Sequence, residues 1–572
     1  MSFEKIYKTF KLPIEYNEKK KQIKPHLISD LELVKTVNDK ETPMYNHLLQ
    51  PKTDLGKLCI DKWKNYYTPD KQYLKNTQTL LSTLPDFNYD EKVMTKMFQS
   101  WTKMKNNQNF IEYYQYIEFD KLKWLNGYSS FLFLLSFYNI SSPVLNLITP
   151  IALMILPFIL IKILGMPITV NNYISILKRE LAKHPIGKLF TSFGRVSLNQ
   201  KFYLLVGAGL YIYNFYQNIL SCIRFYKNLN FISSEFKTFK EYLENTITNM
   251  NVIIPQLEGL EKYEEFLEDV KCNRQYLIEI LESIKNVPTC KVNMKTFMCI
   301  GETMKYFYKF YSSEQFDTAI NFSLGFNSYL ESLKGINSNI KQNKINKATL
   351  ATNKSKTIIN IKKIYNPSLN SPIKNDINFK KNKIITGPNA AGKTTILKST
   401  ILNLVITQQI GFGYYESAKI TPVDYLHCYI NIPDSCSRDS LFQSEANRCK
   451  EILDIIEKNP EEKHFCVFDE LFSGTNPYEA ICTAKAYLEF ISKNKNVKFL
   501  LTTHFIRLCK ICSKEFIENY NMNIEKQGEQ LNYTYKLQKG ISTVKGGIHV
   551  LQQLKYNADI IENAKKTIEN LE

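Results

Sequence analysis

The sequence predicts a chain in two parts: an α/β domain built round a phosphate-binding loop at the C-terminus, preceded by an all-α region that carries an apolar helical insertion. Three observations predict this. A glycine loop ending in Lys-Thr stands between an apolar strand and a helix at residues 384–402. A second apolar strand ends in two adjacent carboxylates at Asp469-Glu470. In a chain of 572 residues in which 23% are charged, the stretches 124–161 and 202–223 contain no charged residue at all.

The loop is Thr386-Gly387-Pro388-Asn389-Ala390-Ala391-Gly392-Lys393-Thr394-Thr395, which fits G-x-x-x-x-G-K-[ST]. Ile384-Ile385 reads as the end of a strand, and the run from Ile396 to Leu402 as the first turns of a helix. Gly387 and Gly392 let the backbone aim its N–H groups at phosphate oxygens. Lys393 then reaches the β/γ-phosphates, the Thr394 hydroxyl sits on Mg²⁺, and the helix N-terminus favours the negative charge. The expectation is binding of a nucleoside triphosphate.

His464-Phe465-Cys466-Val467-Phe468-Asp469-Glu470 reads as a buried parallel strand delivering acids to its C-terminal edge. Asp469 is suited to hold Mg²⁺ and Glu470 to orient or deprotonate an attacking water. A third strand, residues 497–504, ends on His504, which is placed to sense a γ-phosphate.

With these residues in hand, the chain resembles the MutS family of DNA mismatch-repair ATPases. Ile384 to Asn389 followed by Gly392-Lys393 is similar to the family's I-T-G-P-N-M-G-G-K-S loop, with Ala390-Ala391 for Met-Gly and Thr394 for Ser. Asn375-Asp376-Ile377 resembles its N-D-[IV] element near the nucleotide base, and Asn366-Pro367 the H-P pair that opens the ATPase domain. Asp439-Ser440-Leu441-Phe442-Gln443-Ser444-Glu445 resembles its S-T-F-x-x-E segment, with Leu441 where the family has threonine. Ser473-Gly474-Thr475-Asn476-Pro477-Tyr478-Glu479 replaces R-G-T-S-T-x-D, a version closer to divergent, partly membrane-associated MutS-like ATPases. Thr503-His504-Phe505 is similar to A-T-H-[YF]. Tyr535-Lys536-Leu537 through Gly540, then Gly546-Gly547-Ile548, resembles the end of the domain.

The resemblance implies a P-loop ATPase domain, ABC-like and of MutS type, that hydrolyses ATP with Mg²⁺ as a homodimer. Catalysis would fall to Lys393, Glu470 and His504. Gly387 to Thr395, Asn375 and Ile377 would bind ATP, and Thr394 and Asp469 would hold the metal. Ser440, with Phe442 and Glu445, would act in trans on the nucleotide of the other subunit. Leu27 to Leu33, Thr42-Pro43 and Thr53 to Leu58 before Trp63 resemble the start of the MutS core. Only about 25 residues precede them, so classical mismatch recognition is not expected. Its F-x-E wedge is matched at Phe110-Ile111-Glu112 and Phe516-Ile517-Glu518, both in the wrong region and read as chance.

Net charge is +19, which suits a polyanionic partner. The chain is also rich in Lys, Asn, Ile and Tyr together, as an A/T-biased genome would make it, so charge alone supports DNA only modestly. Twelve cysteines lack paired metal spacing, and the one CxxC, Cys509-Lys510-Ile511-Cys512, reads as structural. Free thiols fit a reducing compartment, and the polar opening, Met1 to Lys24, does not read as a leader.

The first apolar stretch divides by sequence at Asn139-Ile140-Ser141-Ser142-Pro143 into halves 124–138 and 144–161, the second long enough to cross a hydrocarbon core. Seven Lys/Arg and one acid lie between residues 162 and 201, which argues for a cytosolic connection. The expectation is therefore a hairpin of the two halves within the membrane, the third run being buried or interfacial and Lys178-Arg179, Lys183 and Lys188 suiting anionic headgroups.

Domain boundaries are expected at 1–120 (N-terminal helical core), 121–225 (apolar segment with basic loop), 226–345 (helical lever), 346–547 (ATPase) and 548–572 (dimerisation helix). Residues 336–356, rich in Asn, Lys, Ser and Thr, read as the linker into the ATPase. The functional expectation is a dimeric, cytoplasm-facing ATPase that moves helical levers, binding non-mispaired or branched DNA, acting at a membrane, or both. A soluble mismatch-repair or recombination factor whose apolar middle is core is the alternative. An ABC transporter would need an L-S-G-G-Q helix start, which does not occur, and the two intact acids disfavour a scaffold that binds ATP without hydrolysing it.

Overall fold

The structure, a computed structural model, describes residues 2–165, 169–181, 187, 193–195, 197–291, 293–351, 357–431, 441–527, 530–542, 544, 548, 551–552 and 554–571. The chain divides into two compact units. A C-terminal α/β region follows an all-α region, as the sequence predicts.

One unit comprises residues 1–2, 92–247 and 275–321. Helices α1 (Ser129–Ile163), α2 (Leu198–Leu257, its first fifty residues in this unit) and α3 (Ile300–Ser312) dominate it. Its core is aromatic: Phe236 meets Phe239, Phe307 and Phe310 edge to face, Phe239 lies tilted on Phe310, and the Trp101 indole donates to Asn321 Oδ1 at 3.1 Å. Phe110 is fully buried and stacks on Tyr311 with ring centres 3.9 Å apart, a core position.

The expected break at residues 139–143 does not occur. Helix α1 runs unbroken from Ser129 to Ile163. Pro143 ends no helix here, and apolar side chains on either side of it favour one continuous rod. The first turns of α1 pack on α3, with Gly301 against Ser129 and Phe133, and beyond them α1 meets the start of α2, which passes it in the opposite direction. Cys222 Sγ donates to Ile140 O at 3.2 Å and Tyr211 Oη to Asn146 O at 3.4 Å. Every residue from Val144 to Thr149 is exposed, as are Leu205, Val206, Leu210 and Ile212 on α2. Among the described residues one stretch is long and apolar enough to cross a membrane, Ser129–Thr149. Lys183 and Lys188 lie outside the described residues.

The other unit comprises residues 3–91, 248–274 and 322–572. After helix α4 (Glu314–Lys341) come β1 (Asn346–Leu350), β2 (Ile359–Ile364), β3 (Asn375–Asn378) and β4 (Asn382–Thr386). Helix α5 (Lys393–Ile410), β5 (Phe412–Gly413), β6 (Ser417–Ile420) and β7 (Tyr425–Tyr429) follow. Then come α6 (Leu441–Lys458), β8 (His464–Asp469), α7 (Pro477–Ser492), β9 (Val497–Thr503) and α8 (Ile506–Ile511). The chain closes with β10 (Ile517–Gln527), β11 (Gln530–Lys539) and α9 (Ala558–Leu571).

Six strands form one sheet in the order β11-β10-β4-β9-β8-β7. All its pairings are parallel except the terminal hairpin β10–β11. A second sheet has the order β3-β2-β6-β1-β5. The presumed linker at 336–356 is therefore partly structure: α4 extends to Lys341, and β1 buries Ala348 and Leu350 on one face. The polar residues of β1 are the outward half of an alternating strand.

Helix α5 is buried on every side, packed against both sheets and against the N-terminal helix Lys71–Thr83. Its last turn is fixed by polar contacts. Gln409 Nε2 donates to Trp63 O at 2.7 Å and Tyr66 O at 2.8 Å, while Gln408 Nε2 donates to Val423 O at 2.8 Å. Gln78 Nε2 donates to Gly411 O at 2.7 Å, satisfying a carbonyl just past the helix end. The N-terminal segment is thus bonded to the far end of the helix that begins at Lys393.

Candidate functional site

Parallel pairing brings three strand ends to one edge. Thr386 of β4 lies opposite Thr503 of β9, and Thr502 opposite Asp469 of β8. The loop after β4, the acids after β8 and the histidine after β9 therefore converge where ligands bind in parallel α/β sheets.

The loop leaves β4 at Gly387 and enters α5 through Gly392, whose φ is +91°. A Cβ there would lie 3.1 Å from the Tyr535 ring, so glycine is required for both conformation and space. Ala390 is also left-handed, at φ +62°. Lys393 Nζ donates to Pro388 O at 3.1 Å and lies 3.2 Å from His504 Nε2. Burial pulls its ammonium below the usual lysine range, against the attraction of Glu470 and Asp469.

Thr394 Oγ1 donates to Asp469 Oδ2 at 2.9 Å, and Thr502 Oγ1 donates to Asp469 Oδ1. A hydroxyl and a carboxylate meeting this way are hard oxygen donors of the kind Mg²⁺ takes alongside phosphate and water. Glu470 adopts φ +53°, costly for a residue with a side chain and typical of reactive positions. Its Oε1 lies 2.8 Å from His504 Nε2. That hydrogen bond is the main reason its carboxyl sits below the usual range, against the opposing effect of burial. One ring nitrogen cannot donate to Glu470 and accept from Lys393 at once, so the imidazole has two mutually exclusive engagements.

A cavity of about 520 Å³ opens beside the loop, bordered by Asn389, Ala390, Gly392, Lys393, Thr394, Thr395 and Glu470. Sequence reasoning missed its other wall: Tyr365, Ile373, Met522 and Tyr535. Tyr535 had a signal, because it opens the Y-x-L-x-x-G motif, and at φ +54° it is strained. Its aromatic ring and the apolar groups opposite suit a flat ring system. Asn375 reaches the cavity and also pins β11, donating to Tyr535 O at 3.0 Å and accepting from Leu537 N at 2.8 Å.

Some expected residues stand elsewhere. Ile377 is buried in the second sheet and does not border the cavity: it shares a face with Asn375 but lies one two-residue repeat further along β3. Gly387, Pro388 and Ala391 shape the loop without lining the cavity. Ser440 and Asp439, and Gly546-Gly547, lie outside the described residues. Phe442 lies against Phe472, ring centres 5.8 Å apart. Glu445, expected at a subunit contact, is 2% exposed and its carboxylate is committed within the chain, to Ser473 Oγ and Gly474 N.

Residues 383–572 match MutS domain V. The DNA mismatch repair protein MutS of Bacteroides fragilis is 33% identical over 194 residues, 33% of this chain and 22% of that protein. The protein of the same description from Parabacteroides distasonis is 34% identical over 195 residues, again 33% and 22%. That from Aquifex pyrophilus is 29% identical over 192 residues with the same shares. The match thus spans about a fifth of the length of these relatives. Over its C-terminal third, this chain is a homologue of the MutS family.

Proposed function

We propose that the chain is a Mg²⁺-dependent ATPase of MutS type, working as a homodimer in which nucleotide-driven closure moves the helical levers. One observation carries this: Thr394 bonded to Asp469, and Lys393, His504 and Glu470 in a row, all at one sheet edge beside a cavity of about 520 Å³. The loop N–H groups and Lys393 would hold the phosphates, Thr394 and Asp469 the metal, and the Tyr535 wall the base. Mg²⁺, when bound, supplies the charge that neutralises the β/γ-phosphate oxygens. Glu470 would take the proton of the attacking water, with His504 reporting whether Lys393 is engaged by phosphate.

The test is steady-state ATP turnover and nucleotide binding by the purified full chain, wild type against Lys393→Ala and Glu470→Gln. Turnover should vanish in both, with binding lost in the first and kept in the second. Glu470→Gln with ATP should sediment as a dimer. Unchanged turnover in Lys393→Ala sinks the site, and a strictly monomeric Glu470→Gln with ATP sinks the dimer.

Membrane attachment through 124–161 and 202–223 is part of the same proposal. It is supported by the exposed apolar faces of α1 and the start of α2, which exceed what soluble proteins leave uncovered. DNA as cargo rests on homology to proteins named for DNA mismatch repair and on the net charge of +19. A retardation assay with branched and linear duplexes at two salt concentrations would test it, and no binding at low salt would remove DNA.

A further inference from the structure

Helix α6 is fastened to the turn that carries Glu470. Glu445 Oε1 accepts from Ser473 Oγ at 3.0 Å and Oε2 from the Gly474 amide at 3.1 Å. The Tyr429 hydroxyl, beside the same carboxylate, accepts from Phe472 N at 3.3 Å. The contact is close on its apolar side as well. A Cβ on Gly474 would stand 2.8 Å from Leu441 Cγ and 2.9 Å from Phe442 N, so the helix start and the turn touch without a side chain between them. Within the turn, Glu470 and Phe472 are both left-handed, at φ +53° and +58°.

A helix resting on a turn needs only apolar packing, and a leucine would supply it at less cost than a buried carboxylate. What a carboxylate adds is direction, through charge-assisted bonds to two named donors. With one end of the turn held by Glu470 N donating to Thr502 O at 3.0 Å and the other by Glu445, the strained residues between have a fixed orientation.

We propose that Glu445 is a positioning residue: through Ser473 and Gly474 it ties the first turns of α6 to the orientation of Glu470. A displacement of the start of α6 then alters Glu470, so the helix that follows Ser440 in sequence controls hydrolysis without touching the nucleotide. This rests on the ATPase proposed above.

The experiment compares full-length wild type, Glu445→Gln, Ser473→Ala and the double variant in ATP turnover and nucleotide affinity. Glu445→Gln keeps the shape but replaces an acceptor with a donor facing Ser473 or Gly474. Its kcat should fall about 10- to 100-fold, the scale of a sub-ångström to 1 Å misplacement, with nucleotide Kd within about threefold. A kcat that falls while nucleotide Kd holds is the split that a merely structural role would not produce. Ser473→Ala should fall in the same sense by less, and the double variant by less than the product of the two.

Unchanged kcat in Glu445→Gln overturns the proposal, as does a fall in kcat matched by an equal loss of affinity. If Glu445→Gln does not fold, Ser473→Ala decides, and its wild-type kcat overturns the proposal. A wild type without turnover overturns the ATPase reading itself, whereas an active wild type with an unaffected variant overturns only the role of Glu445.

Discussion

His504 Nε2 lies 2.8 Å from the Glu470 carboxylate, and that bond opposes the burial that would otherwise raise the carboxyl. A base held low stays ionised, so activity persists as pH falls. His504→Ala should move the acid limb of the kcat–pH profile upward and lower kcat about 10- to 100-fold at neutral pH. A profile superposable on wild type would remove His504 from any role in setting Glu470.

Thr394 Oγ1 and Asp469 Oδ2 meet at 2.9 Å. Thr394→Val keeps the volume but removes the oxygen. The Mg²⁺ concentration for half-maximal turnover should rise at least about tenfold, the scale of losing a good hydrogen-bonding ligand to a charged centre. A magnesium titration that does not shift would take Thr394 off the metal.

His26 accepts from Arg448 Nη1 at 3.0 Å. Burial first, then the charges of Arg448 and Lys24, push its pKa down to about 4. Folding therefore favours neutral imidazole. The stabilisation is full above the ordinary value near 6.5 and is lost as pH falls through about 4. Asp30, raised to about 6 by burial, acts in the opposite sense, so the comparison needs a variant at His26 alone. His26→Gln keeps an acceptor that cannot be protonated. The two proteins should melt within a few degrees of each other at pH 8, with the variant higher by a few degrees near pH 4. Parallel melting curves across that range would refute the assignment.

The contact between Ile140 and Cys222 marks where the apolar pair can be removed. Excising residues 141–221 and closing the gap with a short glycine linker should leave ATP turnover in place while moving the protein from the pellet to the supernatant after a carbonate wash. Wild type that is already in the supernatant ends the membrane proposal.

Gln409 satisfies the buried carbonyls of Trp63 and Tyr66. Gln409→Leu leaves Tyr66 O without this donor and Trp63 O with only the Tyr45 hydroxyl at 3.3 Å, and should cost about 1–3 kcal/mol, at the lower end if water enters. Denaturant unfolding measures it, and a variant within about 0.5 kcal/mol of wild type would mean the Gln409 bonds add nothing to how the N-terminal segment is held.

The sequence by itself determined the loop around Lys393, the acids at 469 and 470, the strand ends that carry them, and the homology that residues 383–572 bear out. Those features are local: a glycine spacing, an apolar run and a following charge fix their own conformations. Only the tertiary structure decided how separated segments meet. The Tyr535 and Ile373 wall comes from segments far apart in sequence, and Glu445 turns inward because the turn at 473–474 offers it donors. The same holds for α1. Asn139 to Pro143 looked like a break by composition, but the neighbouring start of α2 runs antiparallel to it as a packing partner, and the helix continues. Residue types report local preference, while side-chain partners drawn from distant segments supply the energy that overrides it.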